Sequence, residues 1–304
     1  MKKKNKALNR VGTGWNILFN ILLILAAVLV VAPLALMIII SFSSTRSIEQ
    51  IGFSYTPLEW SLEGYKYVIK AGTQIVNSYI VTIANSVLGT LLLLLMMSMY
   101  AFVLCQERFR PRKFLLWFAY FIALFGAGLV PTYMMNVKYY HLKDTFWILL
   151  LSGLVHPQWL IMLRAFIKTT VPEALFDSAR IDGAGYGTIY LKIVMPLLKA
   201  GLATIGLFSF VSRWNDWYQG MLYITNSKLV PLQTMLTRMQ NDVEYLKDNS
   251  QLLSSPAGLE LLRELPGDNL RMACTIVAVI PVLFTYPFFQ KYFVQGLTVG
   301  SVKG

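Results

Sequence analysis

The sequence predicts an all-α integral membrane protein with about six transmembrane helices, and three observations carry that prediction. Hydrophobic residues make up 56% of the chain and charged residues 14%, whereas soluble domains have about 45–50% and about 25%. The apolar residues form runs of about 20 or more, the length that crosses a bilayer as a helix. The Lys and Arg residues, which give a net charge of +12, stand beside those runs. They therefore indicate membrane topology rather than nucleic-acid binding.

The first apolar run extends from about Trp15 to Phe42 and follows the basic segment MKKKNKALNR. A cleaved signal peptide is the alternative interpretation. The stretch from Ile17 to Phe42 is longer than the apolar region of a signal peptide and has no small-residue cleavage site. We therefore predict an uncleaved first span with a kink at Pro33.

Five further spans are predicted from the other apolar runs. Their approximate limits are Asn77–Leu104, Phe114–Met134, Thr145–Phe166 with Pro157 inside it, Leu197–Ile224 and Leu270–Phe289. A polar, aromatic segment, Ser43 to Gln74, follows the first span. A long polar loop, Thr225 to Asp268, precedes the last one and contains two amphipathic stretches. These stretches are Leu232–Met239 and Leu259–Leu265.

Orientation follows from the basic residues in the short links. They cluster at the N-terminus, in the link Arg108–Lys113, in residues 164–199 and in the tail. An even number of predicted crossings separates these groups, so they lie on one side. Because positive residues favour the cytoplasmic side, we expect both termini there. The chain divides into an N-terminal segment with the first helix and outer loop (1–74), a core domain (75–295) and a cytoplasmic tail (296–304).

The segment from Pro172 to Ala200 cannot cross a membrane by itself, and we call it the elbow. Thr169 or Thr170 is expected to cap its first helix, and Pro172 suits the first turn. Helical spacing divides the side chains between two faces. One face carries Leu175, Phe176 and Ala179, and the opposite face carries Glu173, Asp177 and Arg180.

The elbow continues with a predicted turn and a second helix. Gly183 and Gly185 allow a sharp bend, because glycine tolerates backbone angles closed to other residues. The second helix is predicted from Tyr186 to Met195 and stops at Pro196. With the threonines before Pro172 included, the predicted loop between the fourth and fifth spans comprises residues 169–200.

The elbow resembles the EAA loop of ABC importer permeases. That pattern is roughly E-A-A-x-x-D-G-A, followed by an apolar segment with I-x-x-P-L. The matching residues here are Asp177-Ser178-Ala179, Asp182-Gly183-Ala184, Ile193 and Pro196-Leu197. The departure is Asp-Ser in place of Glu-Ala, which keeps an acid and a small residue.

Three other stretches resemble the carbohydrate-uptake branch of that family. Trp214-Asn215-Asp216 matches its W-N-D/E signature. The ending PFFQKYFVQGLTVGSVKG is similar to the Q-[KR]-Y/W-F-V-x-G-x-x-x-G-x-V-K-G terminus of maltose-type permeases. The long loop, with PLQTMLTRMQ, resembles the LplC-like group that serves oligosaccharides. The resemblance covers nearly the whole chain.

The resemblance implies a type I ABC importer permease fold in a prokaryotic plasma membrane. It implies a second, homologous permease chain, two ATPase subunits that bind ATP and Mg, an extracytoplasmic solute-binding protein, an oligosaccharide cargo and surrounding membrane lipid. The ATPase would be contacted by elbow and tail residues, and Leu175 and Phe176 would fill an apolar cleft on it. The implied set is Glu173, Leu175, Phe176, Asp177, Ser178, Ala179, Arg180, Asp182, Gly183 and Ala184, with Gly300, Val302, Lys303 and Gly304 in the tail.

The sequence carries no motif for catalysis. It has no G-x-x-x-x-G-K-[ST] phosphate loop, and its two histidines and two cysteines do not have the spacing of metal ligands. We therefore predict no enzymatic activity, no cofactor, no metal and no nucleic-acid partner for this chain. The energy for transport has to come from a partner.

A polar path through the spans is predicted from side chains that are costly in hydrocarbon. The candidates are Asn77, Asn85, Trp214, Asn215, Asp216, Trp217 and Tyr218. Aromatic faces beside hydrogen-bonding groups suit saccharides. The alternative is that Arg213 and Asp216 pair across one helical turn while the Trp residues form an interfacial belt.

Three other functions remain open. An ABC permease for a non-sugar solute is disfavoured by the W-N-D signature and the V-K-G ending. A membrane-embedded enzyme would need clustered His, Asp or Glu near a membrane face, which the sequence does not place there. A secondary transporter would work without an ATPase and usually has internal repeats, which are not evident in the sequence.

Overall fold

The computed structural model describes residues 13–70, 72–248 and 267–301, and within these ranges the chain is helical, as predicted. One isolated antiparallel bridge joins Ser43 and Trp60. Short π-helical turns occupy Met135–Tyr139 and Ile189–Val194. The α-helices, in chain order, are α1 (Thr13–Ser41), α2 (Thr45–Ile51), α3 (Glu63–Lys70), α4 (Gly72–Cys105), α5 (Arg112–Leu124), α6 (Leu129–Met134), α7 (Phe146–Leu151), α8 (Pro157–Thr170), α9 (Glu173–Ile181), α10 (Tyr186–Thr188), α11 (Met195–Leu197), α12 (Lys199–Trp214), α13 (Tyr218–Tyr223), α14 (Leu232–Asp248) and α15 (Asp268–Ser301).

Of the described helices, three are by themselves long and apolar enough to cross a membrane: α1, α4 and the first part of α15. They correspond to the first, second and sixth predicted spans. Helix α1 continues through Pro33, and α15 continues through Pro281 and Pro287. A proline therefore does not end a helix in either segment.

The third predicted span, Phe114–Met134, is a bent pair of helices. Helices α5 and α6 meet at 113°, because residues 125–128 leave the helical conformation. Gly128 has φ of +80°, which glycine adopts without steric cost. A second bend, of 77°, separates residues 186–197 from α12. With each bent pair taken as one crossing, the described chain has up to five crossings by length and composition.

The fourth predicted span, Thr145–Phe166, is broken into α7 and α8. The chain leaves the helix at Ser152, turns at Gly153 with φ of +70°, and becomes helical again at Pro157. Pro157 was expected inside a continuous span. It begins α8 instead, where its missing N–H would have had no partner in any case.

The predicted fifth span, Leu197–Ile224, also divides into two helices. Helix α12 ends at Trp214, and α13 begins at Tyr218. The long polar loop that follows begins in an ordered form, since α14 contains the predicted amphipathic stretch Leu232–Met239. The second predicted stretch, Leu259–Leu265, lies outside the described residues.

The described residues form two compact units. The first contains residues 13–70 and 267–276. Within it, the hydroxyl groups of Ser41 and Tyr65 lie 2.8 Å apart, and the Tyr65 ring centroid is 4.8 Å from that of Phe42. The Asn269 amide donates to the carbonyl of Ser43 at 3.3 Å. These contacts connect the first helix, the outer segment and the start of α15.

The second unit contains residues 72–248 and 277–301, and α4 lies at its centre. Helices α8 and α12 both pack along α4. Several buried residues of α4 are small: Ser86, Gly89, Ser98 and Ala101. Small residues let transmembrane helices approach closely, so that van der Waals contacts hold them together. Helix α4 is therefore the central helix of the second unit, and the elements that lead into and out of the elbow pack against it.

Candidate functional site

The first helix of the elbow, α9, begins directly after Pro172. The predicted cap by Thr169 or Thr170 is wrong, because both residues still belong to α8. The Thr169 hydroxyl donates backward to the carbonyls of Ala165 and Phe166, at 3.0 and 3.2 Å. Since proline has no N–H, the first residue of the elbow loses no hydrogen bond by standing before the helix.

The inner face of α9 is packed into the core of its own chain. Phe176 and Ala179 are each 8% exposed, and the Phe176 ring centroid lies 6.4 Å from that of Phe102 on α4. Phe176 was expected to fill an apolar cleft on an ATPase. That expectation is corrected here, because the side chain already fills a place beside α4. Leu175, the other expected anchor, is 38% exposed.

The outer surface of the elbow carries apolar side chains that the sequence analysis did not single out. Ile181 is 86% exposed and Tyr186 is 54% exposed. Helical spacing could have found Ile181, since it follows Phe176 by five residues, or about 140° around the helix axis. Once Phe176 faces the core, Ile181 has to face outward. Leu191 and Leu197 are exposed further along the elbow. On α9 and the turn after it, the exposed large apolar side chains are Leu175, Ile181 and Tyr186, and we call these three residues the elbow surface.

Arg180 connects the elbow to the end of α4. Its guanidinium donates to the Asp177 carboxylate at 2.9 Å and to the side-chain oxygen of Gln106 at 2.8 Å. Gln106 is buried and follows the last residue of α4. Ser178 and Asp182 remain exposed. Arg180 therefore fixes α9 on its own chain, while Asp182 is free to contact a partner.

The turn after α9 depends on Gly183. Its φ is +80°, and an added Cβ would meet no atom within 4 Å. Its N–H donates to the Arg180 carbonyl at 3.0 Å, and the Ala184 N–H donates to the Ala179 carbonyl at 2.9 Å. The predicted bend is confirmed at Gly183. Gly185 has φ of −73°, which other residues also adopt.

The second part of the elbow runs through Pro196 instead of stopping there. It consists of α10, the π-helical turn Ile189–Val194 and α11, and the chain bends only at Leu198. The wider turn before Pro196 changes the hydrogen-bond pattern where proline lacks a donor. Within the turn, the hydroxyl groups of Tyr190 and Ser98 lie 2.7 Å apart. Both halves of the elbow thus rest on α4.

Two carboxyl groups meet beside the elbow. The pKa of the exposed Glu173 is raised by Glu107, mainly through a hydrogen bond between the two side chains and secondly through the repulsion of their charges. Glu107 also forms an ion pair with Arg112 at 3.6 Å. The elbow therefore presents acidic groups next to the basic link Arg108–Lys113.

Arg213 dominates the polar interior. Only 9% of the residue is exposed, and its guanidinium donates to Asn85 and to three backbone carbonyls. The alternative of an ion pair with Asp216 is not found in the described chain, whose ion pairs lie elsewhere. The Asp216 carboxylate instead accepts the Gln219 N–H at 3.1 Å, at the beginning of α13.

The predicted polar path separates into buried and exposed parts. Asn85 is buried against Arg213, and Trp214 is 1% exposed and donates to the Ala278 carbonyl at 3.1 Å. Trp214 is therefore part of the core and not of an interfacial belt. Asn77 is half-buried on α4. The side chains at the end of α12 and the start of α13 form a different, exposed group.

That exposed group contains Asn215, Trp217 and Tyr218. Trp217 and Tyr218 are 47% and 43% exposed, and their rings meet edge to face at 5.9 Å. The Gln233 amide of α14 lies 3.5 Å from the side-chain oxygen of Asn215. Sequence analysis missed Gln233, because only the fold brings α14 to this place. Two aromatic faces beside two amides suit a saccharide, and we call these four residues the aromatic–amide cluster.

A groove of about 760 Å³ opens between α4 and the elbow side of α12. Most of its lining is apolar, and its charged group is Lys199. Such a surface offers few hydrogen-bond partners to a sugar. The lining residues are Val87, Thr90, Leu91, Leu94, Met195, Pro196, Lys199, Leu202, Ala203, Gly206, Phe210 and Thr285.

Asp144 connects the link before α7 to the start of the long polar loop. It accepts the N–H and hydroxyl groups of Thr225, and the N–H of Asn226 at 2.8 Å. These hydrogen bonds, that of the Thr225 hydroxyl first, lower the pKa of Asp144. His141 and Asp144 have φ of 52° and 55°, angles that cost free energy in residues other than glycine.

Of the predicted tail, residues 296–301 lie within the described part of the chain. Gly300 lies near the end of α15, whereas Val302, Lys303 and Gly304 lie outside the described residues. Their expected contact with an ATPase stays a prediction. In the described part of the chain, no group of three or more His, Cys, Asp or Glu side chains could hold a metal ion.

Comparison with known proteins identifies the family. Residues 109–299 match the model of the binding-protein-dependent transport system inner membrane component. The polygalacturonan/rhamnogalacturonan transport system permease YtcP of Bacillus subtilis is 32% identical over 95% of this chain and 99% of its own length. Protein LplC of the same species is 34% identical over 90% of each chain.

A solved structure agrees with these relatives. One chain of a bacterial ABC transporter involved in the import of the acidic polysaccharide alginate matches with a TM-score of 0.78 and 26% identity, over 93% of this chain and 99% of that one. The resemblance inferred from the elbow and the W-N-D signature is therefore confirmed. The protein belongs to the family of binding-protein-dependent transport system inner membrane components, the permease subunits of ABC importers.

Proposed function

We propose that this chain forms half of the membrane path of an ATP-driven oligosaccharide importer. Its elbow transmits the conformational changes of the ATPase to the membrane helices. The elbow surface is the observation that carries the proposal. Leu175, Ile181 and Tyr186 face outward while the inner face of α9 is packed on α4. A rigidly mounted helix with exposed apolar side chains is suited to docking on another protein.

The proposed partners are the proteins that such an importer needs besides this chain. A separate ATPase subunit binds ATP and Mg and holds the elbow, and a second permease chain provides the other half of the path. Two ATPase subunits and an extracytoplasmic solute-binding protein complete the importer. Both termini and the elbow lie on the cytoplasmic side of the plasma membrane, where the tail Gly300–Gly304 also contacts the ATPase.

An oligosaccharide is the proposed cargo. The named cargoes of the relatives, polygalacturonan, rhamnogalacturonan and alginate, support a saccharide. The aromatic–amide cluster supports contact with sugar rings through Trp217 and Tyr218. The groove beside α12 is apolar, which favours the cluster over the groove as the place of sugar contact in this chain.

Transport proceeds by alternating access in this proposal. ATP binding brings the elbows of the two permease chains together at the cytoplasmic side and opens the outer side. Helix α8 leads into α9 with two residues between them, and the second part of the elbow leads into α12. Movement of the elbow is therefore passed on to two helices that pack along α4.

Co-purification tests the proposal. The tagged chain is isolated from gently solubilised membranes, and the associated proteins are identified by mass. We expect a second permease, an ATPase and a solute-binding protein, and we expect Ile181→Asp to lose the ATPase because a carboxylate replaces an exposed apolar contact. Ile69→Asp is the matched control, since Ile69 is 78% exposed on α3 and belongs to the first compact unit, whereas the elbow belongs to the second. Recovery of the chain alone, under conditions that keep a known importer intact, would favour a secondary transporter.

A further inference from the structure

Arg213 joins three helices inside the second unit. From α12, its guanidinium donates to the Asn85 side chain of α4 at 3.3 Å. The same group donates to the carbonyls of Leu149 and Leu150 at 3.2 and 3.3 Å, and to that of Ser152 at 3.0 Å. One side chain therefore contacts the middle of α4 and the last turn of α7.

The carbonyl acceptors lie where α7 breaks. The last carbonyls of a helix have no intrahelical donor, and they carry the negative end of the helix dipole. Inside a membrane protein, such groups need another partner. Arg213 supplies both the donors and the positive charge, so it stabilises the broken form of the segment from α7 to α8.

The central helix has a gap for this side chain. A Cβ added to Gly89 would stand 2.5 Å from the central guanidinium carbon and 2.5 Å from one of its terminal nitrogens. Asn85 stands one turn earlier on α4 and is also buried. The guanidinium thus lies directly against the backbone of α4, and no side chain larger than hydrogen fits between them.

The break at residues 152–156 decides the direction of α8. Its backbone turns at Gly153, and α8 then packs on α4 through Leu160, Leu163 and Ile167, which are fully buried. After α8, two residues lead to α9 and the elbow surface. A shift at the break would therefore be carried along α8 to the elbow.

We propose that Arg213 is a positioning residue for coupling: it fixes the break between α7 and α8, and thereby the place of the elbow relative to α4. This inference rests on the proposed docking of the elbow on an ATPase. Loss of the guanidinium contacts should leave an assembled importer that hydrolyses ATP with less transport per ATP. Coupling between two sites is typically worth about 5–150-fold, so we expect the ratio to fall about tenfold.

The test uses the complete importer in proteoliposomes with its binding protein and cargo. The variants are Arg213→Gln, Arg213→Lys and Gly89→Ala. Gly126→Ala is the control, because Gly126 lies between α5 and α6, outside the elbow, and a Cβ there meets no atom within 4 Å. The quantity measured is saccharide transported per ATP hydrolysed, normalised to assembled complex. We expect Arg213→Gln and Gly89→Ala to lower it alike, the double variant to lower it no further, and Arg213→Lys to retain part of it.

An unchanged transport per ATP in Arg213→Gln and Gly89→Ala would overturn the inference, even if less complex assembled, because only a structural role would remain. If the Arg213→Gln variant does not assemble, transport per ATP is measured in Gly89→Ala and Asn85→Ala instead, and an unchanged value in both would overturn the inference. Failure of the proposed function looks different. In that case the wild-type chain itself shows no ATP-dependent transport, and Ile181→Asp does not change ATPase association.

Discussion

At the scale of single residues, Gly183 shows how one backbone angle determines what the elbow tolerates. Its φ of +80° is open to glycine, and a left-handed conformation costs other L-residues about 1–2 kcal/mol. Because an added Cβ meets no neighbour within 4 Å, the cost at this position is strain in the backbone and not a clash. A substitution at Gly183 therefore tests the backbone angle of the turn without introducing a steric clash.

We expect Gly183→Ala to uncouple ATP hydrolysis from transport, because strain of about 1–2 kcal/mol displaces the turn that orients Ile181 and Tyr186. Uptake and ATPase activity of the reconstituted importer are measured side by side. Gly185→Ala is the matched control, since Gly185 has φ of −73° and an equally open environment. Full uptake in Gly183→Ala would show that the angle at this residue has no part in coupling.

At the scale of helices, the apolar runs of the sequence were sufficient to locate the three uninterrupted spans. The predicted limits Trp15–Phe42 and Asn77–Leu104 compare with Thr13–Ser41 and Gly72–Cys105 in the structure. Helical length and hydrophobicity are properties of the segment itself, so they can be inferred without knowledge of the fold. The turn at Gly183 was predictable for the same reason.

The breaks within the other spans were not predictable in this way. Thr145–Phe166 is apolar enough for one helix, and a proline at position 157 is compatible with a kink as well as with a new helix. The broken form depends on donors from Arg213, which lies 61 residues after Ser152 in sequence. Likewise, the spacing in α9 separated two faces, but it could not tell that Phe176 would pack on Phe102 of its own chain.

The connection between α7 and the long polar loop gives a prediction at the same scale. Asp144 is held by Thr225 and Asn226, and its lowered pKa means that folding favours the ionised carboxylate. This contribution is present above the ordinary aspartate pKa of about 3.9 and is lost as the pH falls through the lower pKa of the folded protein. We expect Asp144→Asn to cost about 1 kcal/mol at pH 7, since the site is partly exposed.

Thermal unfolding of the purified chain, followed across pH, measures this contribution. The difference between wild type and Asp144→Asn should shrink as the pH falls below about 4, because the unfolded wild-type chain then takes up a proton at this carboxyl before the folded protein does. Asp242→Asn, at an exposed position of α14, is the control variant. A difference that stays constant down to the lowest pH would mean that the ionised carboxylate does not stabilise this connection.

At the scale of the whole molecule, the described start of the long polar loop combines a part that is packed in the core with a part of α14 that is exposed. Leu232 and Thr234 at the start of α14 are 1% and 0% exposed. The Leu232 N–H donates to Thr82 of α4 at 2.8 Å, and Thr234 donates to the Trp217 carbonyl at 3.0 Å. Further along α14, Tyr245 is 62% exposed. Exchange of the entire loop would therefore disturb the core, and it could not by itself test whether the solute-binding protein binds to the loop.

A restricted exchange removes this difficulty. Residues 240–266 are replaced by a short flexible linker, while Leu232–Arg238 and its contacts are kept. We expect the solute-binding protein to dock on this loop, so the exchange should abolish uptake and the stimulation of ATPase activity by that protein. Basal ATPase activity and recovery of the ATPase should persist, since the elbow is untouched. A second chain in which the same segment is shuffled in sequence, at constant length and charge, controls for loop length. Uptake at the wild-type rate in the linker variant would place the docking surface for the binding protein elsewhere on the importer.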